Sequence, residues 1–169
     1  MKALIISADN FEDTELLVPY YRLQEEGIRV DVASMEAGNI KGKHGYEVKV
    51  TKALKEVRRE DYDILILPGG SAPEAVRKEK VALDIAKYFF AANKPVAAIC
   101  HGGQTLISAG LVKGRHLTCY KSVAPEMKEA GALYEDSEVV VDGTLVTSRR
   151  PSDLPAFMRE IMKMLRKAD

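Results

Sequence analysis

Apolar residues fall along this chain in two alternating rhythms. Short unbroken runs, KALIIS at residues 2–7, DILIL at 63–67 and VAAI at 96–99, contain no turn residue and read as strands buried on both faces. RVDVAS at 29–34 reads as a further strand. Between them the spacing becomes helical. Residues 9–27 (DNFEDTELLVPYYRLQEEG) place Leu16, Leu17, Tyr20 and Leu23 on one face, with acids crowding the first turn and Gly27 after the last. Pro19 lies inside this pattern and is expected to kink or restart the helix. Residues 81–92 carry another helical pattern, and 104–109 a short helix stopped by Gly110. A closing amphipathic helix at 152–167 puts Leu154, Phe157, Met158, Ile161, Met162 and Leu165 on one side. Residues 36–50, with glycines and an alternating tail, suggest a β excursion from the main sheet, and 138–148 a hairpin turning at Asp142 and Gly143.

Strands that alternate with helices imply an α/β fold with a doubly wound, mainly parallel sheet sandwiched between helices. At 169 residues, with no internal repeat or linker, the chain is expected to form one domain over 1–169. Ligands of such sheets bind at the carboxyl ends of the strands. Composition narrows the partners. Lys plus Arg equals Asp plus Glu at 25 each, so no field of one sign recruits nucleic acid or an anionic membrane surface. No run approaches the roughly 18 apolar residues of a membrane helix, and no export signal is visible; a cytoplasmic location is the expectation. Cys100 and Cys119 are then expected as free thiols rather than a disulfide. Scarce Gln and Asn beside abundant Lys, Arg and Glu is the heat-adapted pattern of a thermophile.

Three loops at predicted strand ends carry unusual chemistry: ADNFEDTE after the first strand, PGGSAPE after the strand ending at Leu67, and CHGG after Ile99. Sheet topology should bring them together. Cys100 on a sharp strand-to-helix turn would have its sulfur pushed out beside unpaired N–H groups, an arrangement that favours a thiolate nucleophile. The same residue also reads as a small buried hydrophobe, although a core cysteine needs neither His101 nor two glycines beside it. His101 reads as a base or as a hydrogen-bonded structural residue, and Gly69-Gly70 as an oxyanion hole or as a plain tight turn. Among the acids of NFEDTE, Glu15 is the one that could share a proton with Cys100. His44 and His116 read as surface residues and Cys119 as packing; no metal-ligand spacing, dinucleotide fingerprint or P-loop is present, so no metal or cofactor is expected.

With those residues in view, the chain resembles the ThiJ/PfpI superfamily, and within it the archaeal PfpI-like intracellular proteases (intracellular protease I). FEDTEL, GKHGY, LPGGSAPE, AICHGGQTLISAG and VVVDGTLVTSRRPSDL follow in that family's order and spacing, over nearly the whole length. The resemblance implies a flavodoxin-like α/β sandwich with a cysteine on a nucleophile elbow. By position it implies Cys100 as nucleophile, His101 as general base or acid, and Glu15 as the acid that hydrogen-bonds the thiol. It further implies Glu74 as a third catalytic member donated across a subunit interface, Gly70 and His101 as oxyanion-hole donors, and Tyr120 beside the substrate pocket. A homo-oligomer follows, either a dimer or a hexameric ring of dimers. Gly103 departs from the proline that relatives often carry after CHG, which bears on the stiffness of the elbow.

Two activities use such a site. A cysteine peptidase-like hydrolase of peptides ranks first by family name. A glutathione-independent glyoxalase or protein deglycase, acting on methylglyoxal, glyoxal and their adducts on protein side chains, ranks close behind by chemistry. A redox-sensing or chaperone stress protein is the non-enzymatic alternative. Class I glutamine amidotransferases share the elbow but resemble one another in a downstream His-x-Glu that this chain lacks.

Overall fold

The computed structural model describes residues 1–168. In chain order the elements are β1 (Lys2–Ile6), α1 (Asp13–Glu25), β2 (Arg29–Ser34), β3 (Gly38–Lys41), β4 (Glu47–Val50), β5 (Lys52–Ala53) and β6 (Ile64–Leu67). Then come α2 (Ala72–Val76), α3 (Lys80–Ala91), β7 (Val96–Ile99), α4 (Gly103–Ser108), β8 (His116–Leu117) and α5 (Ala124–Glu129). The chain closes with β9 (Leu133–Tyr134), β10 (Val140–Asp142), β11 (Leu145–Ser148) and α6 (Leu154–Ala168).

The main sheet has seven strands in the order β10-β11-β7-β6-β1-β2-β5. All its pairings are parallel except that of β10 with β11. This is the flavodoxin-like α/β architecture. β6 and β7 are buried at every position, as is β1 after Lys2, because helices cover both faces of the sheet and neither face tolerates a polar side chain. α6 packs its apolar stripe on β11 and α1, with all the predicted inward residues buried.

Two expectations need correction. Pro19 lies inside an uninterrupted α1, so the helix does not restart there: Leu16, Pro19 and Leu23 are buried together, and this packing offsets the hydrogen bond the proline removes. The β10–β11 turn falls one residue later than expected, at Gly143-Thr144, since Asp142 pairs with Leu145 and Gly143 takes φ of 59°. The excursion at 36–50 forms the antiparallel hairpin β3–β4. Strands β1, β6 and β7 run side by side, with Ile5 opposite Ile66 and Leu67 opposite Ala98. Their carboxyl ends therefore deliver residues 7–12, 68–71 and 100–103 to one edge of the sheet.

Candidate active site

Cys100 leaves β7 with φ of 62°, a left-handed conformation that costs a non-glycine residue about 1–2 kcal/mol. The close packing around it holds that strain in place. A Cβ on Gly102 would lie 2.1 Å from the backbone oxygen of Leu67, so the turn after the cysteine sits directly on the end of β6. Tyr120 N–H donates to the carbonyl of Cys100 at 3.2 Å from the other side. Gly103 has φ of −63°, already the value a proline ring imposes, so the elbow keeps a proline-compatible backbone without the ring.

Cys100 is 8% exposed. His101 Nδ1 stands 3.2 Å from Sγ, its ring stacks on Tyr120 with centroids 5.0 Å apart, and Nε2 stands 3.3 Å from Ser122 Oγ. The backbone N–H groups of His101 and Gly70 face the sulfur. Gly70 is free to do so because the bridge between Phe11 and Gly70 is made by its neighbours: Glu12 N–H donates to Gly69 O, and Ser71 N–H to Asn10 O. Glu15 is fully buried beside the thiol, its Oε1 accepting the Gly69 N–H at 3.0 Å.

Burial, reinforced by the charge of Glu12, pushes the Glu15 carboxyl up to about 8. Burial also pushes the Cys100 thiol up, to about 12, with the Glu15 carboxylate adding to the push and the N–H groups of His101 and Gly70 opposing it. The thiolate expected from an elbow at a helix N-terminus is thus opposed by desolvation, which residue type alone does not reveal. Below about pH 8 Glu15 keeps its proton, so its repulsion is absent there and its O–H is a donor beside Sγ. Burial, followed by the nearby Lys43 charge, lowers His101, which leaves the imidazole neutral and able to accept a proton at pH 7.

A cleft of about 550 Å³ opens over these groups, and Glu12, Lys43 and Glu74 also line it. Lys43 reaches it from the β3–β4 loop and pairs with Glu12 at 2.6 Å. Asp13 clasps that loop by accepting the N–H groups of His44 and Tyr46, each at 3.0 Å. Among the described residues no cluster of His, Cys, Asp and Glu could hold a metal ion, and no helix is long and apolar enough to cross a membrane.

The model of the DJ-1/PfpI family matches residues 1–164. The chain belongs to that family. The deglycase PfpI of Pyrococcus furiosus is 54% identical, covering 98% of this chain and 100% of its own length. YraA of Bacillus subtilis, whose name marks it as a candidate cysteine protease, is 43% identical over 98% of each chain. A solved two-domain protein of Anabaena variabilis, with DJ-1/ThiJ/PfpI-like and ferritin-like domains, superposes with a TM-score of 0.95 at 34% identity, covering 97% of this chain and 48% of that one.

Cys100, His101, Glu15, Gly70 and Tyr120 line this one cleft. Glu74 lies exposed on α2 at the rim of the same chain's cleft, and no hydrogen bond or ion pair joins it to His101 among the described residues. Cys119 is a buried core residue, and both cysteines are free. Sequence reasoning missed Glu12, Lys43 and Ser122. Lys43 lay within the GKHGY motif, a signal that was available; nothing in the sequence marked Ser122.

Proposed function

We propose that this protein is a cysteine-dependent deglycase of the glyoxalase type, acting on methylglyoxal or glyoxal and on their adducts with protein side chains. The observation that carries the reading is Glu15, a buried carboxyl beside the thiol that keeps its proton to about pH 8. Peptide hydrolysis needs a nucleophile and an acid for the leaving amine. Rearranging a dicarbonyl needs, in addition, a group beside the sulfur that carries a proton from one carbon to the next.

In the first step the thiol proton passes to His101 Nδ1 and Sγ adds to the aldehyde carbon. The S–C bond forms while the carbonyl π pair moves to oxygen, beside the N–H groups of Gly70 and His101. The Glu15 O–H gives its proton to that oxygen, which completes a hemithioacetal and leaves Glu15 as a carboxylate. That carboxylate removes the C–H proton of the hemithioacetal carbon and returns it to the neighbouring carbon, while the hydroxyl proton passes to the ketone oxygen, which turns the hemithioacetal into a thioester of a 2-hydroxy acid. Water cleaves the thioester to the hydroxy acid and restores the thiol. For an adduct on an amino or guanidino group, Sγ takes the carbon, the C–N bond breaks, and the nitrogen leaves with a proton from His101. The names of the Pyrococcus relatives support this reading.

The peptidase reading keeps one specific support. Glu74 is exposed at the cleft rim, where a second copy of the chain could place a carboxylate on His101. Wild type and Cys100→Ala assayed side by side on methylglyoxal, on methylglyoxal-treated N-acetylarginine and on a fluorogenic peptide separate the two. Cys100-dependent lactate and free N-acetylarginine without peptide cleavage are expected. Cys100-dependent peptide cleavage that is also lost in Glu74→Gln, with no lactate, would replace this reading by the peptidase one.

A further inference from the structure

The segment after β8 touches the catalytic histidine twice. Tyr120 stacks on its ring, and two residues later Ser122 Oγ stands 3.3 Å from Nε2. The turn that carries both is fixed by Val123 N–H donating to Tyr120 O at 2.9 Å and Ala124 N–H to Lys121 O at 3.3 Å. Tyr120 N–H in turn holds the Cys100 carbonyl. Ring, hydroxyl and nucleophile are therefore placed by one short stretch of backbone.

A neutral imidazole has one bare nitrogen and one N–H. For His101 to take the thiol proton, the bare nitrogen must be Nδ1, 3.2 Å from Sγ, and the hydrogen must sit on Nε2. Nε2–H then needs an acceptor, and the one side chain hydrogen-bonded to it among the described residues is Ser122. A serine hydroxyl accepts through its lone pairs and keeps its own O–H for solvent, to which this residue is open. We propose that Ser122 is a positioning residue that accepts the Nε2–H of His101, fixes the tautomer with a bare Nδ1 and aims that nitrogen at Cys100. When Nδ1 takes up the thiol proton, the same hydrogen bond holds the imidazolium that forms. The proposal rests on the functional reading only to the extent that His101 exchanges a proton with Cys100; it does not depend on which carbonyl compound reacts.

The test reads the tautomer directly. The chain has three histidines, so long-range proton–nitrogen spectra of the full-length labelled protein show three imidazoles, and the His44→Gln and His116→Gln variants leave the remaining one assigned to His101. In wild type the Nδ1 resonance is expected at the bare-nitrogen position and Nε2 at the protonated one. Ser122→Ala should mix the two tautomers, and Ser122→Thr, which keeps the hydroxyl, should restore the wild-type spectrum. Turnover of methylglyoxal should fall about tenfold to a hundredfold in kcat for Ser122→Ala with little change in KM, and recover in Ser122→Thr. An unchanged His101 spectrum in Ser122→Ala overturns the proposal; if Glu74→Gln mixes the tautomers instead, the role belongs to that carboxylate. Absence of methylglyoxal turnover in wild type would strike at the functional reading alone, because the spectra need no substrate.

Discussion

The carboxyl of Glu15 and the thiol of Cys100 meet over Gly69, where a side chain could not stand: a Cβ there would lie 2.5 Å from Glu15 Oε1 and 2.8 Å from Cys100 Cβ. Burial of this pair has a consequence for stability. The Glu15 carboxyl titrates near 8 in the folded protein and near 4.5 when solvated, so between those values the folded chain binds a proton that the unfolded chain has released. The stability that Glu15 contributes therefore falls as pH rises from about 4.5 to about 8 and levels beyond, by an amount on the order of a few kcal/mol. Glu15→Gln should remove this slope and melt above wild type at pH 8.5. Thermal unfolding of both proteins at pH 5.5 and 8.5 checks it, and equal slopes would mean that Glu15 is not the titrating group.

The same proton bears on reactivity. As a carboxylate Glu15 raises the thiol through its charge and its hydrogen bond; below about pH 8, where Glu15 keeps its proton, that push is absent and its O–H faces Sγ as a donor that favours the thiolate. Replacing it with leucine removes the donor and keeps the site dry. Alkylation of Cys100 by iodoacetamide at pH 7, followed in a Cys119→Ser background, should slow at least tenfold in Glu15→Leu. Faster alkylation in the variant would show instead that Glu15 acts as an ionised, repelling carboxylate.

Much of this was legible in the sequence because buried parallel strands are unbroken apolar runs, and three of those runs lead into the first turn of α1 with Glu15, the turn with Gly70 and the elbow with Cys100. Helices α2 and α5 were not legible. At five and six residues, each with a proline in its first turn, they are too short for a helical period to register. Ser122 was silent for another reason: its partner is 21 positions away, and only folding shows that the turn after Tyr120 closes on His101. The desolvation of Cys100 was hidden likewise, since a sequence gives the type of a side chain and not its exposure.

Glycines 102 and 103 are adjacent but should respond differently to alanine. At Gly102 the new methyl would meet the Leu67 carbonyl, a backbone atom at the end of a central strand, whereas at Gly103 it would meet Met127 Cε at 2.6 Å, the end of a flexible side chain. Gly102→Ala should therefore cost about 1–3 kcal/mol and distort the elbow, slowing Cys100 alkylation as well. Gly103→Ala should cost less than about 1 kcal/mol, with Met127 turning aside. Chemical denaturation of the two variants gives the comparison, and a larger loss at Gly103 would contradict the packing described.

The clasp on the β3–β4 loop gives the last prediction. Asp13 is buried and accepts the backbone N–H groups of His44 and Tyr46, and Gly42 packs so closely on it that a Cβ would lie 2.1 Å from Oδ1. Asp13→Ala leaves those N–H groups without their acceptor, at about 1–3 kcal/mol for each that stays buried. The less costly response is for residues 42–46 to lift into water. Amide exchange at His44 and Tyr46 should then rise at least tenfold, while β1 and β6 stay protected. Lys43 travels with this loop and would leave Glu12, removing a cation that favours ionised Glu15, so the Glu15 titration should move further up. Exchange confined to its wild-type rate would mean that Asn10 N–H to Lys41 O and Lys43 N–H to Phe11 O are enough to hold the loop.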